Sequence, residues 1–314
     1  MNRKSRSRNI MTAQVVEDSR LSTKYELWSD MPEGYREGVA RVAAFQSLAE
    51  VVGVLPFAEW MDRVPDYSRK QMYIAKIQDE VGHGHIMARV AEDLGIPREK
   101  ILSDFVEGRT KLLNIFHYGF HSWEEIGIAA LLMNSSAIVQ FQSLDKGTYL
   151  PYVRALKKIE KEEGFHYHHA LDLSHQVMVE GTKEQRQLVQ DGFDTWFPRL
   201  LGYFGPPDSA VIKDNPLYKW GIKVDSNDDI RQRWMSKIIP VVMSLGIHVD
   251  ETVAKFNEEF GRWDFMEVDW VGIKNLINEG GPSYQGHVDS IKHSLSSNDK
   301  YRRVALSGGK LNAA

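Results

Sequence analysis

Cysteine is missing altogether from the 314 residues. That excludes disulfides, thiolate zinc sites, cysteine nucleophiles and cysteine-held iron–sulfur clusters within the chain. Any metal ion must be held by histidine, carboxylate or amide groups. No run of about 18 consecutive apolar residues occurs, so no membrane span or membrane partner is expected. Positive charge is not in excess either. The 39 Lys and Arg stand against 43 Asp and Glu, for a net charge of −4, which argues against a nucleic-acid partner. Dinucleotide and flavin motifs are lacking. The one phosphate-loop look-alike, SGGK at 307–310, lacks the preceding strand and the spacing such a loop needs. The basic start, MNRKSRSRNI, has no apolar core of a secretory leader. It reads as a disordered tail over residues 1–24, and a cytoplasmic location is expected. A polar, flexible tail is expected over 293–314.

What is present is helical pattern. Asp30 and Pro32 open an apolar run to about Val54. A second helix fits Tyr67 to Leu94 and stops at Gly95 and Pro97, and a short one follows to about Gly108. Ser122 and Glu125 (SWEE) form a capping-box pattern that opens a third long helix, to about Gly147. Pro151 starts a fourth, ending near Gly181. Four helices of roughly 22 to 30 residues are far longer than the usual three turns and point to a bundle. Residues 183–204 read as an aromatic-rich helix, Gly205-Pro206-Pro207 as a break, and 228–245 as a further helix; 246–290 are mixed. The expected fold is all-α: a four-helix bundle over 25–204 carrying the site, and a mostly helical extension over 205–292 for substrate and subunit contacts.

Two Glu-x-x-His motifs, Glu80–His83 and Glu163–His166, carry the chemistry. Positions i and i+3 share a helix face, so each motif aims a carboxylate and an imidazole the same way. Both interrupt apolar stripes. One is Met72, Lys76, Glu80, His83, Met87, Val90, Leu94; the other is Leu156, Ile159, Glu163, His166, Ala170, Leu173, Val177. An apolar stripe faces the core, and a buried carboxylate is costly unless it is paired or binds a metal. Two Glu–His pairs that merely satisfy each other are the simpler alternative. Spacing favours a metal. A di-metal bundle site needs one more ligand from each of the other two helices. Glu50 lies 30 residues before Glu80, and the same offset before Glu163 falls beside Asn134. The candidate ligands are therefore Glu50, Glu80, His83, Asn134, Glu163 and His166. Their oxygen and imidazole donors suit iron or manganese. Asn134 is neutral, so a second ion would meet three carboxylates rather than four.

The segments VVGVLPFAEW after Glu50, AKIQDEVGHG at 75–84, SWEEIG at 122–127, KEEGFH at 161–166 and FGP at 204–206 resemble the catalytic alpha subunits of ring-1,2-phenylacetyl-CoA epoxidases, over roughly residues 25–290. The resemblance implies a ferritin-like fold and two iron ions. It implies a subunit that uses O2 to epoxidise the ring of phenylacetyl-CoA or a related aryl-CoA. It also implies two partners: a homologous helical structural subunit and a separate flavin/iron–sulfur reductase. In that family the position of Asn134 is acidic, as is that of Phe57, so this chain departs twice. Lys76 matches a family lysine beside the metal site, and a role in tuning a carboxylate or relaying a proton follows. Arg41, Lys111, Lys223 and Asn227 match the family's CoA contacts. A metal-poor structural subunit of the same kind of complex is the alternative, which Asn134 favours and the two intact motifs oppose. Iron storage or a radical-generating subunit fits less well, because Tyr73 and Tyr167 both fall off the ligand row.

Overall fold

The computed structural model describes residues 21, 23–211, 215–297 and 299. All of the basic start and all of the SGGK segment lie outside these. Helices α1 (Glu33–Gly53), α2 (Tyr67–Asp93), α3 (Arg98–Val106), α4 (Trp123–Leu144), α5 (Leu150–Glu180), α6 (Lys183–Tyr203), α7 (Asn227–Ser244), α8 (Trp270–Glu279) and α9 (Tyr284–Ser297) carry the architecture. α1 pairs with α2 and α4 with α5, and the two pairs meet across α2 and α5 to form a four-helix bundle of the ferritin type. α6 and α7 cover α4, and α3 and α9 close the other end.

Local chemistry sets the helix starts. Asp66 caps α2 by accepting from the Arg69 amide at 2.8 Å, and Ser122 caps α4 by accepting from the Glu125 amide at 3.0 Å. The reciprocal half of the SWEE box differs from expectation. The Glu125 carboxylate accepts instead from the His121 amide at 2.6 Å and from Trp196 Nε1 at 2.8 Å, because the aromatic face of α6 buries it. The complete capping box lies at Thr182 and Gln185, at the start of α6.

The core has two parts. One fills α4–α7 around Trp196, Phe197 and Trp234. The other fills α1–α3 and the N-terminal end of α5. Helices on both sides of the Gly205-Pro206-Pro207 break share the first part: Phe197 of α6 stacks on Trp234 of α7 at 5.0 Å. Every member of the α5 stripe from Leu156 to Val177 is buried; each full-sized apolar one contributes on the order of 1.5–3 kcal/mol. Gly84 brings α1 against α2: a Cβ there would lie 2.6 Å from Val51 Cγ2, and Ser47 Oγ donates to the Gly84 carbonyl at 2.7 Å.

Two features depart from the sequence pattern. The mixed segment contains a short antiparallel hairpin, β1 (Ala254–Asn257) and β2 (Arg262–Phe265). Helix α9 runs on through residue 293, where the sequence pattern starts the tail. Residues Glu33–Ala58 and Trp123–Leu144 are long and apolar enough on average to cross a membrane, although no single run is. In Trp123–Leu144, 72% of the apolar window is buried inside the protein, so that character is accounted for by packing.

Candidate metal centre and substrate cavity

α2 and α5 pass each other with their two motifs face to face. Glu80, His83, Glu163 and His166 are all buried, as is Asn134 opposite them on α4. Glu50 reaches in from α1. Donor atoms of Glu50, Glu80, His83 and Glu163 all lie within 4.8 Å of one another, a spacing that can cage a metal ion. His166 joins the same group: its Nδ1 is 3.5 Å from Glu80 Oε1 and 3.6 Å from Glu163 Oε1. His83 Nδ1 is 3.3 Å from Glu80 Oε2 and 3.5 Å from Glu163 Oε1. The arrangement is close to twofold, with the imidazole rings 5.9 Å apart.

The outer nitrogens explain why the inner ones point inward. His83 Nε2 meets Glu162 Oε2 at 3.0 Å, and His166 Nε2 meets Asp79 Oδ2 at 3.2 Å. Each imidazole is thus tethered to a carboxylate on the opposite helix, which fixes its tautomer and orientation as in carboxylate–histidine–metal triads. The inner Nδ1 atoms of both histidines are buried with no hydrogen-bond partner. Two orphaned imidazole nitrogens aimed at two carboxylates make a donor set that fits a hard metal ion. Asp79 and Glu162 lie outside the two motifs. A signal for them is nevertheless present in the sequence, since each motif is preceded by one more acid (Asp79-Glu80 and Glu162-Glu163).

The charges are strongly coupled. Burial, together with the Glu80 and Glu163 carboxylates, raises Glu50 well above the ordinary carboxylate range. Burial opposes ionisation of Glu80 as well, but the Lys76 ammonium and the neighbouring His83 imidazole hold it well below that range. Burial would lower His83, yet its contacts with Glu163 and Glu80 push it up to about 10. Without an ion, a proton on the His83 imidazole offsets part of the carboxylate charge. Lys76 is buried and salt-bridged to Glu80 Oε1. Its Nζ also donates to Asn134 Oδ1 at 3.3 Å and stands 5.0 Å from the centre of the Phe57 ring. Both departures from the family pattern therefore surround one ammonium.

A cavity of about 520 Å³ opens from this cage. Its lining includes Glu50, Glu80, Glu163, Lys76, Asn134 and Phe57, apolar residues such as Phe45, Ile115, Phe116 and Met133, and the cations Arg41 and Lys223. Tyr203, at the end of α6, is a further wall residue. Burial and the charges of Glu50 and Glu163 raise its phenol. Sequence reasoning passes over it because it lies on no motif helix.

The four proposed CoA contacts divide. Arg41 and Lys223 line the cavity, and Lys111 and Asn227 do not. Lys111 donates to the Asn278 carbonyl at 3.3 Å. The Asn227 side chain accepts from Lys223 Nζ at 2.5 Å and from the Tyr218 hydroxyl at 3.0 Å, and donates to the Pro206 carbonyl at 2.8 Å. Its polar atoms are engaged within the protein, so it orients Lys223. Burial pushes the Lys223 ammonium down to about 8.

A ferritin-like bundle with paired, carboxylate-tethered Glu-x-x-His helices and a cavity at the cage is the architecture of a metal-dependent oxidoreductase. A family model described as phenylacetic acid catabolic protein matches residues 15–276. A curated relative from Escherichia coli (strain K12), the first of the lettered subunits of 1,2-phenylacetyl-CoA epoxidase, is 35% identical over 277 residues, covering 88% of this chain and 89% of its own. The chain belongs to the phenylacetic acid catabolic protein family.

Proposed function

We propose that this chain is the oxygen-activating subunit of an aryl-CoA ring epoxidase, with phenylacetyl-CoA as the leading substrate. One observation carries the reading: a single cavity joins the carboxylate face of the cage to two cationic side chains, Arg41 and Lys223. Two iron ions would be held by Glu50, Glu80, His83, Glu163 and His166, with Asn134 offering an amide oxygen. When bound, the irons supply the O2 chemistry, in which one oxygen atom goes to the ring and the other leaves as water, using two electrons and two protons.

The chain's own groups do the rest. Arg41 and Lys223 offer charge-assisted donors to CoA phosphates. Binding energy gathered there holds the acyl end against the cage, so a remote contact lowers the barrier at the ring. The apolar wall excludes water around it. Lys76 keeps a proton on Nζ beside the cage: burial opposes this, but Glu80 and Glu163 raise its pKa. That proton is placed for relay. Lys111 and Asn227 act from behind, Asn227 by orienting Lys223. The electrons come from a flavin/iron–sulfur reductase, a homologous helical subunit completes the assembly, and the location is cytoplasmic.

The test supplies the assembled complex with phenylacetyl-CoA, reductant and O2. Substrate-dependent O2 uptake and an epoxide product are expected; no turnover with any aryl-CoA overturns the reading. One observation favours a second reading, a metal-poor structural subunit: Asn134 is neutral and the Lys76 ammonium donates to it at 3.3 Å, which lowers the negative charge the cage would offer a second ion. Iron near zero after iron-replete expression would select it.

A further inference from the structure

The phosphates of an acyl-CoA have Arg41 and Lys223, and its ring has the apolar wall. The thioester carbonyl is the acceptor nearest the ring, and a buried acceptor left unpaired costs free energy. The wall therefore needs a donor for it. The neutral polar side chains in the lining are Gln46, Asn134, Ser136, Gln140 and Tyr203. Asn134 Oδ1 accepts from Lys76, and its nitrogen is sealed inside the protein. Ser136 Oγ donates to the Met133 carbonyl at 2.7 Å. The side chains of Gln140 and Tyr203 are oriented by no hydrogen bond among the described residues.

Gln46 differs from all four. The buried Tyr152 hydroxyl, from α5, donates to Gln46 Oε1 at 2.7 Å, and burial raises that phenol, so it keeps its proton. With the oxygen taken, the amide has its two N–H donors left to offer. Gln46 Nε2 has no partner among the described residues and stays accessible. Gln46 stands four residues before Glu50 on α1, on the same face and about 6 Å along the axis, and both line the cavity. In an arylacetyl thioester one methylene separates the carbonyl from the ring. A carbonyl held at Gln46 therefore brings the ring toward Glu50 and the cage. Arg41, Gln46 and Glu50 follow one another along α1 in the order of phosphate, thioester and ring in the acyl-CoA.

We propose that Gln46, oriented by Tyr152, donates a hydrogen bond through Nε2 to the thioester carbonyl of the acyl-CoA and so sets which edge of the ring meets the cage. The inference rests on the aryl-CoA reading above. Gln46 is the substrate contact, and Tyr152 is a positioning residue that acts through it. An amide already held in place loses little freedom when the substrate arrives, which is why the anchored donor is favoured over Gln140 and Tyr203.

The probes are phenylacetyl-CoA and its thioether analogue S-phenethyl-CoA, in which a methylene replaces the carbonyl. Their binding to the full chain is measured by calorimetry without reductant, so no turnover intervenes. In Gln46→Leu the ratio of thioester to thioether affinity is expected to fall about 2–10-fold, through weaker binding of the thioester alone. Tyr152→Phe, which frees the amide to turn, should lose part of the ratio. Gln140→Leu and Tyr203→Phe should keep it. The carbonyl stretch of isotope-labelled thioester is expected at lower frequency on the parent than on Gln46→Leu. Gln46→Met, equally long and without a donor, replaces Gln46→Leu if that variant does not fold. A ratio and a carbonyl frequency unchanged by loss of the Gln46 amide, or an equal fall in Gln140→Leu or Tyr203→Phe, would overturn the proposal and leave the aryl-CoA reading standing. A parent chain that binds neither compound would overturn that reading, and the proposal with it.

Discussion

The bundle is built from two halves that match in outline and differ in one arm. In α1–α2, Glu50 faces Glu80 and His83. In α4–α5, Asn134 faces Glu163 and His166. Each half crosses to the other through an outer carboxylate, Asp79 to His166 and Glu162 to His83. The symmetry fails at Asn134, and the ammonium of Lys76 lies beside it. A neutral arm with a neighbouring cation lowers the negative charge available to a second ion. The difference teaches that a repeated motif sets where ligands point, while the unrepeated neighbours set how many charges the cage offers.

The largest effects should come from the two central carboxylates, and they should differ. Glu80→Ala and Glu163→Ala are both expected to abolish metal retention, read by metal analysis of purified protein. Only Glu80→Ala also removes the partner of a buried ammonium, which costs about 3–5 kcal/mol. Urea titration of the metal-free variants should therefore show Glu80→Ala far less stable than Glu163→Ala. Equal stability would mean that the salt bridge from Lys76 to Glu80 matters little and that the halves are more alike than their geometry.

Asn134→Asp restores a charge to the weaker arm. The expected outcome is more iron per chain, approaching two ions, and faster O2 uptake with aryl-CoA. Unchanged iron content would place the limit at Lys76 instead, and Lys76→Met would then be the variant that gains metal. Next come the outer tethers. Asp79→Asn and Glu162→Gln should each lower metal affinity by about 10–100-fold, measured by competition with a chelator dye. Near-equal losses would support the twofold relation. A loss confined to Glu162→Gln would show that the His83 side alone holds the tighter ion.

Much of this is legible before the fold. Long amphipathic periodicity reveals the bundle, and the i, i+3 spacing on buried stripes reveals the cage, because helical geometry is local and the burial cost of a charge is general. The hairpin at 254–265 is not legible: its strands are four residues each and mostly exposed, too short for alternation to register. Glu125 reads as half of a capping box, but a tertiary partner, Trp196, takes its carboxylate. Asp79 and Glu162 are visible as acidic doublets, yet their role depends on which helix lies opposite. Lys111 and Asn227 carry the right chemistry for CoA, whereas the side chains that line the cavity beside Arg41 are set by packing, which spacing does not encode.

The smallest expected effect compares two cations that line the cavity, Lys76 and Lys223. At the cage, carboxylates hold Lys76 charged through the whole physiological range, since its pKa is raised. Lys223 has no salt-bridge partner among the described residues, and burial brings its ammonium down to about 8. The sign follows from linkage. An anion bound at Lys223 favours the protonated form, so the free protein must take up a proton when it binds CoA above pH 8. Affinity for the CoA phosphates should be flat below about pH 7.5 and then weaken, by at most about tenfold per pH unit, as Lys223 neutralises. Calorimetry of CoA binding between about pH 7 and 9.5, in buffers of different ionisation enthalpy, reads both the loss and the proton uptake. Lys223→Arg, charged at every pH in this range, should flatten the profile. An unchanged slope in that variant would show that the phosphates are held by groups other than Lys223.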